Sequence, residues 1–429
     1  MGLEYKKYNK FEEIVYTYKH KSGFIVDYIP RKGYEQKSAS LDVYFGAIDE
    51  KFKIIENIKT NNKIYSLPLG AAHFLEHKIF EQRNKNVTEL FSLNGSEINA
   101  FTSHEKTGYY FYCINKFYEN LRELLKFIFN PYFTNKAIQN EKLIIEQEMK
   151  MNYNDPHWIV DHNMYNALYH TNSVKYDIAG TVDSIKSIDK ELLYFIHKIF
   201  YNPQNLRLLV IGDLEIDKII DIIECNVPTN ETKDIERIFL EEPKNIRKSF
   251  VIEKSDILKP IFSMSIKENN LQTQGVEGAL NEIAINLILE IAFGESSNFY
   301  QELYNDNIIN DSFDFGYEYG INYAFSNFCG ESENPKLLRE LYINEIIKIN
   351  KNGLNYNDFK RISNAKHGRN LQSFDSIGLL TESFLPENHN NLSLFDYCDL
   401  NDKITFEYVN SAFKKHFKIN NLVLSILES

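Results

Sequence analysis

Two histidines and a glutamate stand at spacings that could hold a metal ion. His73 and His77 are four residues apart, and Glu76 directly precedes the second histidine. On a helix, residues i and i+4 share a face, so both imidazoles can reach one metal while Glu76 lies beside them. Imidazole nitrogen suits zinc, and a catalytic zinc site keeps its fourth position open for water. Glu76 is therefore the candidate base for that water.

Two glutamates downstream are candidates for the missing third ligand. Glu141 and Glu148 are seven residues apart, which is two turns along one helical face, beside the apolar residues 143–145. One can bind the metal, and the other can orient a ligand histidine. The alternative is a helix with two surface histidines and a second helix with a solvated acidic face. The order His-x-x-Glu-His is the inverted zincin motif, which favours the metal site.

Alternation and helical periodicity indicate the elements that must position these side chains. Aromatic and β-branched residues alternate in candidate strands, and apolar residues recur at helical spacing between them. The predicted strands of the first part are residues 23–29, 39–45, 98–102, 109–114 and 206–211, and the predicted helices are residues 71–80, 117–128, 135–151 and 190–200. The histidine motif and the glutamate pair therefore fall on two separate helices.

A second series of elements follows in a similar order. Its predicted strands are residues 250–252, 261–266, 313–319, 323–328 and 422–427, with helices over residues 276–293 and from residue 336. The polar stretch 226–248, which contains two prolines, predicts a linker. We therefore expect an α+β fold of two homologous half-domains, each an antiparallel sheet flanked by helices. The predicted domains are residues 1–228 and 249–429, joined by a linker at residues 229–248.

Length and composition exclude several classes of protein. The 429 residues are 43% hydrophobic and 25% charged, which is enough for two or three domains with ordinary cores. The net charge of −12 would repel phosphate backbones, so we expect no nucleic-acid partner. Four dispersed cysteines without a CxxC pair, and an N-terminus without an apolar signal segment, predict a cytoplasmic protein. The apolar stretch 278–294 is too short and too polar to span a membrane.

Three motifs taken together resemble the pitrilysin/insulinase family of zinc peptidases. They are His73-Phe-Leu-Glu-His77, the block Asn99-Ala-Phe-Thr-Ser-His-Glu-Lys-Thr-Gly-Tyr-Tyr-Phe111, and the pair Glu141-x6-Glu148. The resemblance implies one zinc per chain, bound by His73, His77 and Glu148. It further implies that Glu76 is the general base and that Glu141 supports a ligand histidine from outside the coordination sphere.

Further segments extend the resemblance over nearly the whole chain and look most like a bacterial subgroup of similar length. They are Asn130-Pro-Tyr-Phe133, Asn154-Asp-Pro-His-Trp158, Asp177-Ile-Ala-Gly-Thr-Val-Asp183 and Ser297-Asn-Phe-Tyr-Gln-Glu-Leu-Tyr304. Members of that subgroup are associated with modification of elongation factor P, or trim leader sequences from ribosomally made peptides. The resemblance implies that each chain forms half of a clamshell that closes round a chamber.

The predicted strand at residues 98–103 suggests how a peptide could bind. If the strand is a sheet edge beside the zinc, its free N–H and C=O groups can pair with an extended peptide. Asn99, Ala100 and Phe101 would then contact the substrate, and Asn99 is also a candidate to steady a ligand histidine. The alternative is a plain sheet end with a turn-prone asparagine.

A catalytic Arg and Tyr pair of many self-sufficient relatives is missing from the second half. In those relatives an arginine and, seven residues later, a tyrosine hold the substrate and the developing oxyanion, and stabilisation of this kind is often the largest catalytic effect. Tyr304 and Asp311 stand at the matching positions, and residues 268–335 contain no lysine or arginine. The resemblance therefore implies a heterodimer with a homologous chain that supplies the pair.

The sequence supports three functions. The leading one is a zinc endopeptidase that acts on short or unfolded peptides inside a closed chamber. A non-catalytic subunit would lack the metal ligands, whereas His73, Glu76, His77 and Glu148 are all present. A peptide-binding subunit in a modification pathway, such as that of elongation factor P, would keep the chamber without turnover.

Overall fold

The structure, a computed structural model, describes most of the chain. The described residues are 2–55, 63–83, 86–229, 234–269, 271, 275–384 and 392–429. Among them, no helix combines the length and apolar character required to cross a bilayer.

The strands of the described residues form three sheets. In chain order they are β1 Gly2–Tyr8, β2 Glu13–Lys19, β3 Ile25–Pro30, β4 Lys37–Val43, β5 Lys51–Ile55, β6 Ile64–Ser66, β7 Ser96–Thr102, β8 Thr107–Cys113, β9 Leu206–Gly212, β10 Asp234–Arg237, β11 Phe250–Lys254, β12 Ile261–Lys267, β13 Asp314–Tyr319, β14 Ala324–Glu331 and β15 Leu422–Glu428.

The helices of the described residues alternate with these strands. In chain order they are α1 Ala71–Ile79, α2 Val87–Leu93, α3 Phe117–Phe129, α4 Asn135–Asn152, α5 Pro156–Leu168, α6 Val182–Lys186, α7 Lys190–Phe200, α8 Ile216–Asn226, α9 Gly275–Phe293, α10 Asn298–Asn305, α11 Pro335–Asn352, α12 Tyr356–Ser373, α13 Ile377–Ser383, α14 Leu394–Asn401 and α15 Phe406–His416.

The two large sheets share one topology. The seven-stranded sheet has the order β1-β2-β3-β9-β4-β8-β7, and the five-stranded sheet has the order β11-β15-β12-β14-β13. Each sheet contains one parallel pair, β3 with β9 in the larger sheet and β11 with β15 in the smaller one. The other strand pairs of both sheets are antiparallel. Strands β3, β9, β4, β8 and β7 therefore match β11, β15, β12, β14 and β13 one by one. The predicted α+β fold of two homologous halves is confirmed, with one parallel pair in each otherwise antiparallel sheet.

Each compact unit contains a helix from the other half of the sequence. The first unit comprises residues 1–149, 177–238 and 373–385, and the second comprises residues 150–176, 239–372 and 386–429. Helix α5 thus belongs to the second unit, where it packs on β12 and β15. Helix α13 belongs to the first unit, where it packs on β4 and β9. The domain boundaries expected from the sequence stay a prediction.

The core of each unit lies between its sheet and its helices. In the first unit, fully buried side chains of β4 and β8 pack with the apolar faces of α1 and α3. In the second unit, β12 and β15 pack in the same way with α9 and α15. Because α9 is apolar around most of its surface, its burial needs partners on several sides.

The elements predicted from the sequence are confirmed, with no bound displaced by more than three residues. Elements that were not predicted include the strands β1 and β2, the helices α5 and α8, and the small sheet β10-β5-β6. Strand β10 falls within the segment expected to be a linker, where it pairs with β5. Such short, polar strands form because a partner strand is available, a condition that local sequence does not reveal.

Candidate metal centre

Helix α1 separates an apolar face from a polar face. Phe74, Leu75 and Ile79 are fully buried in the core of the first unit. His73, Glu76 and His77 project together from the helix, and their ligand atoms all lie within 4.8 Å of one another. The spacing of the residues on the helix therefore places the two imidazoles side by side, as the sequence predicts.

A close backbone contact fixes the start of α1. Gly70 precedes the helix with a φ of 83°, and Gly180 has a φ of 84°. A Cβ atom on Gly70 would lie 2.2 Å from the carbonyl oxygen of Ala179, so only glycine fits there. Ser184 Oγ also donates to the carbonyl oxygen of Leu69 at 2.8 Å. Residues 179–184, which follow α5 in the chain, therefore fix the position of the first residues of α1, the helix that carries both histidines.

The two imidazoles converge on the carboxylate of Glu148, which α4 supplies. His73 Nε2 lies 3.5 Å from Glu148 Oε1, and His77 Nε2 lies 3.8 Å from Glu148 Oε2. Tetrahedral zinc with bonds of about 2.0–2.1 Å keeps its ligand atoms about 3.3 Å apart, so these separations are close to those of ligands that share one ion. Two imidazoles and one carboxylate are also a donor set that zinc accepts.

Glu141 fixes the ring of His77 from the other side. His77 Nδ1 lies 3.0 Å from Glu141 Oε1, a distance at which the ring N–H donates to the carboxylate. A proton on Nδ1 leaves the lone pair on Nε2, which is the atom that faces Glu148. The arrangement therefore favours the tautomer that can bind a metal.

Burial and neighbouring carboxylates act on His77 in opposite directions. Burial alone would lower the pKa of His77, but the hydrogen bond to Glu141 and the charges of Glu76 and Glu148 outweigh it, so the pKa is raised. The pKa of Glu148 is lowered, chiefly by its contact with His73. Both shifts have the direction expected where carboxylates lie beside imidazoles.

Glu76 and Glu148 both lie near the histidines, and their contacts distinguish their roles. Glu76 Oε2 accepts a hydrogen bond of 2.8 Å from Thr102 Oγ1 on β7, and one oxygen of Glu76 lies within 4.8 Å of a ligand nitrogen of each histidine. Each oxygen of Glu148 instead faces one Nε2 atom. These contacts agree with the expected roles of Glu148 as third ligand and Glu76 as neighbouring base, and both roles stay predictions. Thr102 was not among the expected site residues, although it is the last residue of the candidate substrate strand β7.

Strand β7 is an edge of the seven-stranded sheet, as expected. The backbone N–H of Ala100 donates to Asn99 Oδ1 at 2.8 Å, so the ladder with β8 does not use this donor. Phe101 lies over Gly108, where an added Cβ would come within 2.4 Å of the phenyl ring. By strand alternation, Asn99 and Phe101 lie on the face opposite Thr102. The expected contact of Asn99 with a ligand histidine is not among the contacts of the described residues.

A second cluster has the geometry of a serine, histidine and acid triad. His416 Nε2 lies 2.8 Å from Ser326 Oγ, and His416 Nδ1 lies 2.8 Å from Glu268 Oε2. Ser326 is completely buried, and Glu268 and His416 are nearly so. A substrate cannot reach this hydroxyl in the folded unit, so we interpret the cluster as a buried structural network.

Two family models cover most of the chain. The model described as insulinase, peptidase family M16, matches residues 67–182, and the model described as the peptidase M16 inactive domain matches residues 187–366. The chain is also 32% identical to the uncharacterized zinc protease YmfH of Bacillus subtilis, over 97% of each chain. This chain belongs to the insulinase family. The metal centre described above lies within the part that matches the first family model.

Solved structures of insulinase family members have the same fold. An M16-like peptidase from Alicyclobacillus acidocaldarius superposes with a TM-score of 0.92 at 26% identity, over all of this chain and 99% of that chain. Pitrilysin superposes with a TM-score of 0.75 at 12% identity, over all of this chain but only 46% of its own length. The fold of this insulinase family chain is therefore also found as about half of a longer protein.

Proposed function

We propose that this chain is the zinc-bearing subunit of a two-component metalloendopeptidase that cleaves short or unfolded peptides. One observation carries the proposal: His73 Nε2 and His77 Nε2 face the two oxygens of Glu148 at 3.5 and 3.8 Å. Membership of the insulinase family and the zinc protease names of relatives support peptidase activity in general. Leader-peptide processing is one such role, and a cytoplasmic location stays a prediction.

His73, His77 and Glu148 would hold one zinc ion, and Glu141 would keep His77 oriented toward it. When bound, zinc activates a water molecule and polarises the scissile carbonyl. Glu76 accepts the proton of the attacking water and can return it to the leaving amine. Thr102 keeps Glu76 in place for both transfers through its hydrogen bond to Oε2.

The substrate would bind as an added strand along β7. An extended peptide can pair with the outward N–H and C=O groups of an edge strand, so its sequence matters less than its freedom to unfold. The Ala100 N–H donates to the side chain of Asn99 in the structure. A carbonyl oxygen of the bound peptide would replace Asn99 as the acceptor of this hydrogen bond. This binding mode explains a preference for short or unfolded peptides.

The second half of the chain supports a two-component arrangement. Helix α9, which matches α1 in the duplicated fold, contains no histidine, so one zinc per chain is expected. Tyr304 Oη donates to Asp311 Oδ1 at 2.9 Å, at the two positions where many relatives carry an arginine and a tyrosine. An aspartate at this place would repel a developing oxyanion. A homologous partner chain would therefore supply the missing donors.

A non-catalytic, peptide-binding subunit is the second candidate function. The match of residues 187–366 to a model described as an inactive domain favours it, as does the absence of the Arg and Tyr pair. Such a subunit would serve a modification pathway, for example that of elongation factor P.

Metal content and peptide turnover test the proposal together. We would purify the full chain, determine zinc per chain by mass spectrometry, and incubate it with a peptide library, with and without a homologous chain encoded next to it. We expect one zinc per chain and new peptide ends that a chelator suppresses. A chain that binds no zinc would contradict the site, and bound zinc without turnover in either mixture would favour the second candidate.

A further inference from the structure

Lys78 is a buried lysine that directly follows the second histidine of the motif. Only 4% of its surface is exposed, although an ammonium group loses strong hydration on burial. Lysines are almost never buried to this extent unless they are paired. The groups that pair with Lys78 therefore indicate what its ammonium group does beside the candidate metal centre.

Two carboxylates neutralise Lys78. Its Nζ atom lies 2.5 Å from Glu81 Oε2, one turn further along the chain, and 3.2 Å from Glu141 Oε2 on α4. The Glu81 pair is local to the end of α1. The contact between Lys78 and Glu141 instead joins α1, which carries His73 and His77, to α4, which carries Glu148.

Glu141 has one partner on each oxygen. Its Oε1 atom contacts His77 Nδ1 at 3.0 Å, and its Oε2 atom contacts Lys78 at 3.2 Å. A carboxylate held at both oxygens cannot rotate without breaking one of these contacts. The orientation of Glu141, and with it the direction of the His77 ring, thus depends on the ammonium group of Lys78.

We propose that Lys78 is a positioning residue of the metal centre: it fixes Glu141, and through Glu141 it holds His77 in the direction that binds the metal. This inference rests on the proposed function as a zinc peptidase. Its consequence is that Lys78 slows the release of zinc although it does not touch the ion.

Zinc release from purified full-length variants tests the inference. Lys78→Met removes the ammonium group but keeps most of the side-chain volume, and we expect zinc to leave on the order of 10-fold faster, measured with a chelating dye. The visible spectrum of the Co²⁺-loaded protein should shift in the same variant. If Lys78→Met does not fold, Lys78→Gln is the substitute, because it keeps an N–H donor without the charge. We expect Lys78→Gln to increase the rate of zinc release and to shift the Co²⁺ spectrum, each by less than Lys78→Met would.

Three further variants separate positioning from general stability. Lys267→Met breaks a comparably buried ion pair in the second unit, and zinc release should stay at the wild-type rate. Glu81→Gln should have little effect, since the contact with Glu141 remains. Because Lys78 acts through Glu141, Lys78→Met combined with Glu141→Gln should release zinc no faster than Glu141→Gln alone.

The outcomes distinguish this inference from the proposed function. A wild-type chain without zinc would contradict the proposed function itself. A zinc-loaded wild type whose Lys78→Met variant has an unchanged release rate and an unchanged Co²⁺ spectrum would overturn only the role of Lys78. Additive effects in the double variant would also overturn it.

Discussion

At the scale of single residues, the roles proposed for Glu76 and for the three candidate metal ligands can be tested separately. Glu76→Gln should abolish turnover and keep the zinc, because the amide cannot accept the proton of water while His73, His77 and Glu148 still complete the coordination. Peptide cleavage and zinc content measured on the same sample check this expectation. His73→Ala is the matched variant, which should lose both activity and metal. Near wild-type cleavage by Glu76→Gln would show that Glu76 is not the base.

Thr102 adds a residue to the site that the motif does not contain. Thr102→Val keeps the shape of the side chain and removes the hydroxyl that donates to Glu76 Oε2 at 2.8 Å. A hydrogen bond to a charged group contributes about 1.5–3 kcal/mol, so we expect kcat to fall by about 10- to 100-fold. Zinc content and KM should change little. Thr102→Ser, which keeps the donor, should stay near wild type, and an unchanged kcat in Thr102→Val would exclude this role.

At the scale of elements, β7 is a sheet edge whose Thr102 contacts Glu76, and it is the strand proposed to bind the substrate. Ala100→Pro removes the N–H that Asn99 now satisfies, and proline is tolerated on an edge strand where its missing donor faces outward. We expect a raised KM for peptides with retained zinc. Steady-state kinetics, with circular dichroism as the check on folding, measure the change. An unchanged KM would argue against binding by strand addition at Ala100.

A buried ion pair secures the segment that leads into the second unit. Lys267 Nζ on β12 lies 2.6 Å from Glu242 Oε1, and Glu242 also accepts backbone N–H bonds from His170, Thr171 and Asn172. Burial alone would raise the pKa of Glu242, but these donors lower it from 4.5 to about 2. The carboxylate of Glu242 therefore stays ionised in the folded unit at pH values at which a glutamate in water is already protonated.

Glu242 should make stability depend on pH in a defined window. Because folding lowers its pKa, the stabilisation is complete above pH 4.5 and is lost as the pH falls toward about 2. Glu242→Gln removes the negative partner of the buried Lys267, whose other hydrogen bonds go to backbone carbonyl oxygens, and we expect a loss of about 3–5 kcal/mol at pH 7. Urea unfolding between pH 2 and 7 should show this difference shrinking below pH 4.5. The exposed neighbour Glu241→Gln is the control, and a pH-independent difference for Glu242→Gln would refute the assignment.

At the scale of the whole molecule, the duplication leaves the two halves with different chemistry. Five strands have the same order in both sheets, but α1 carries two candidate ligand histidines and the matching α9 has no histidine. The missing arginine also distinguishes the second half, because residues 268–335 contain no lysine, arginine or histidine to replace it. A second copy of this chain would lack the same groups.

We therefore expect full peptidase activity only from a heterodimer. The partner would be a homologous chain without His-x-x-Glu-His that carries an arginine and, seven residues later, a tyrosine in its second half. Co-purification and cleavage assays of each chain alone and of the mixture measure this. Substituting the partner's arginine should cost on the order of 10²- to 10³-fold in rate. Full activity of the isolated chain, unaffected by the partner, would refute the arrangement.

The sequence by itself determined the features that depend on short-range spacing. His73 and His77 can face one metal because residues four apart share a helix face, and Glu141 and Glu148 share a face of α4 because seven residues make two turns. The long alternating and periodic segments predicted ten of the twelve strands in the two large sheets, but only six of the fifteen helices of the described residues. The order of those elements also indicated the duplication.

Only the tertiary structure decided which distant residues meet. The contacts of Thr102 with Glu76 and of Lys78 with Glu141 depend on how β7 and α4 pack against α1. The placement of α5 on the second sheet and of α13 on the first likewise follows from burial of apolar surface between segments far apart in the chain. Local sequence fixes the faces of a helix or strand, but the partner of each face is chosen by packing over the whole unit.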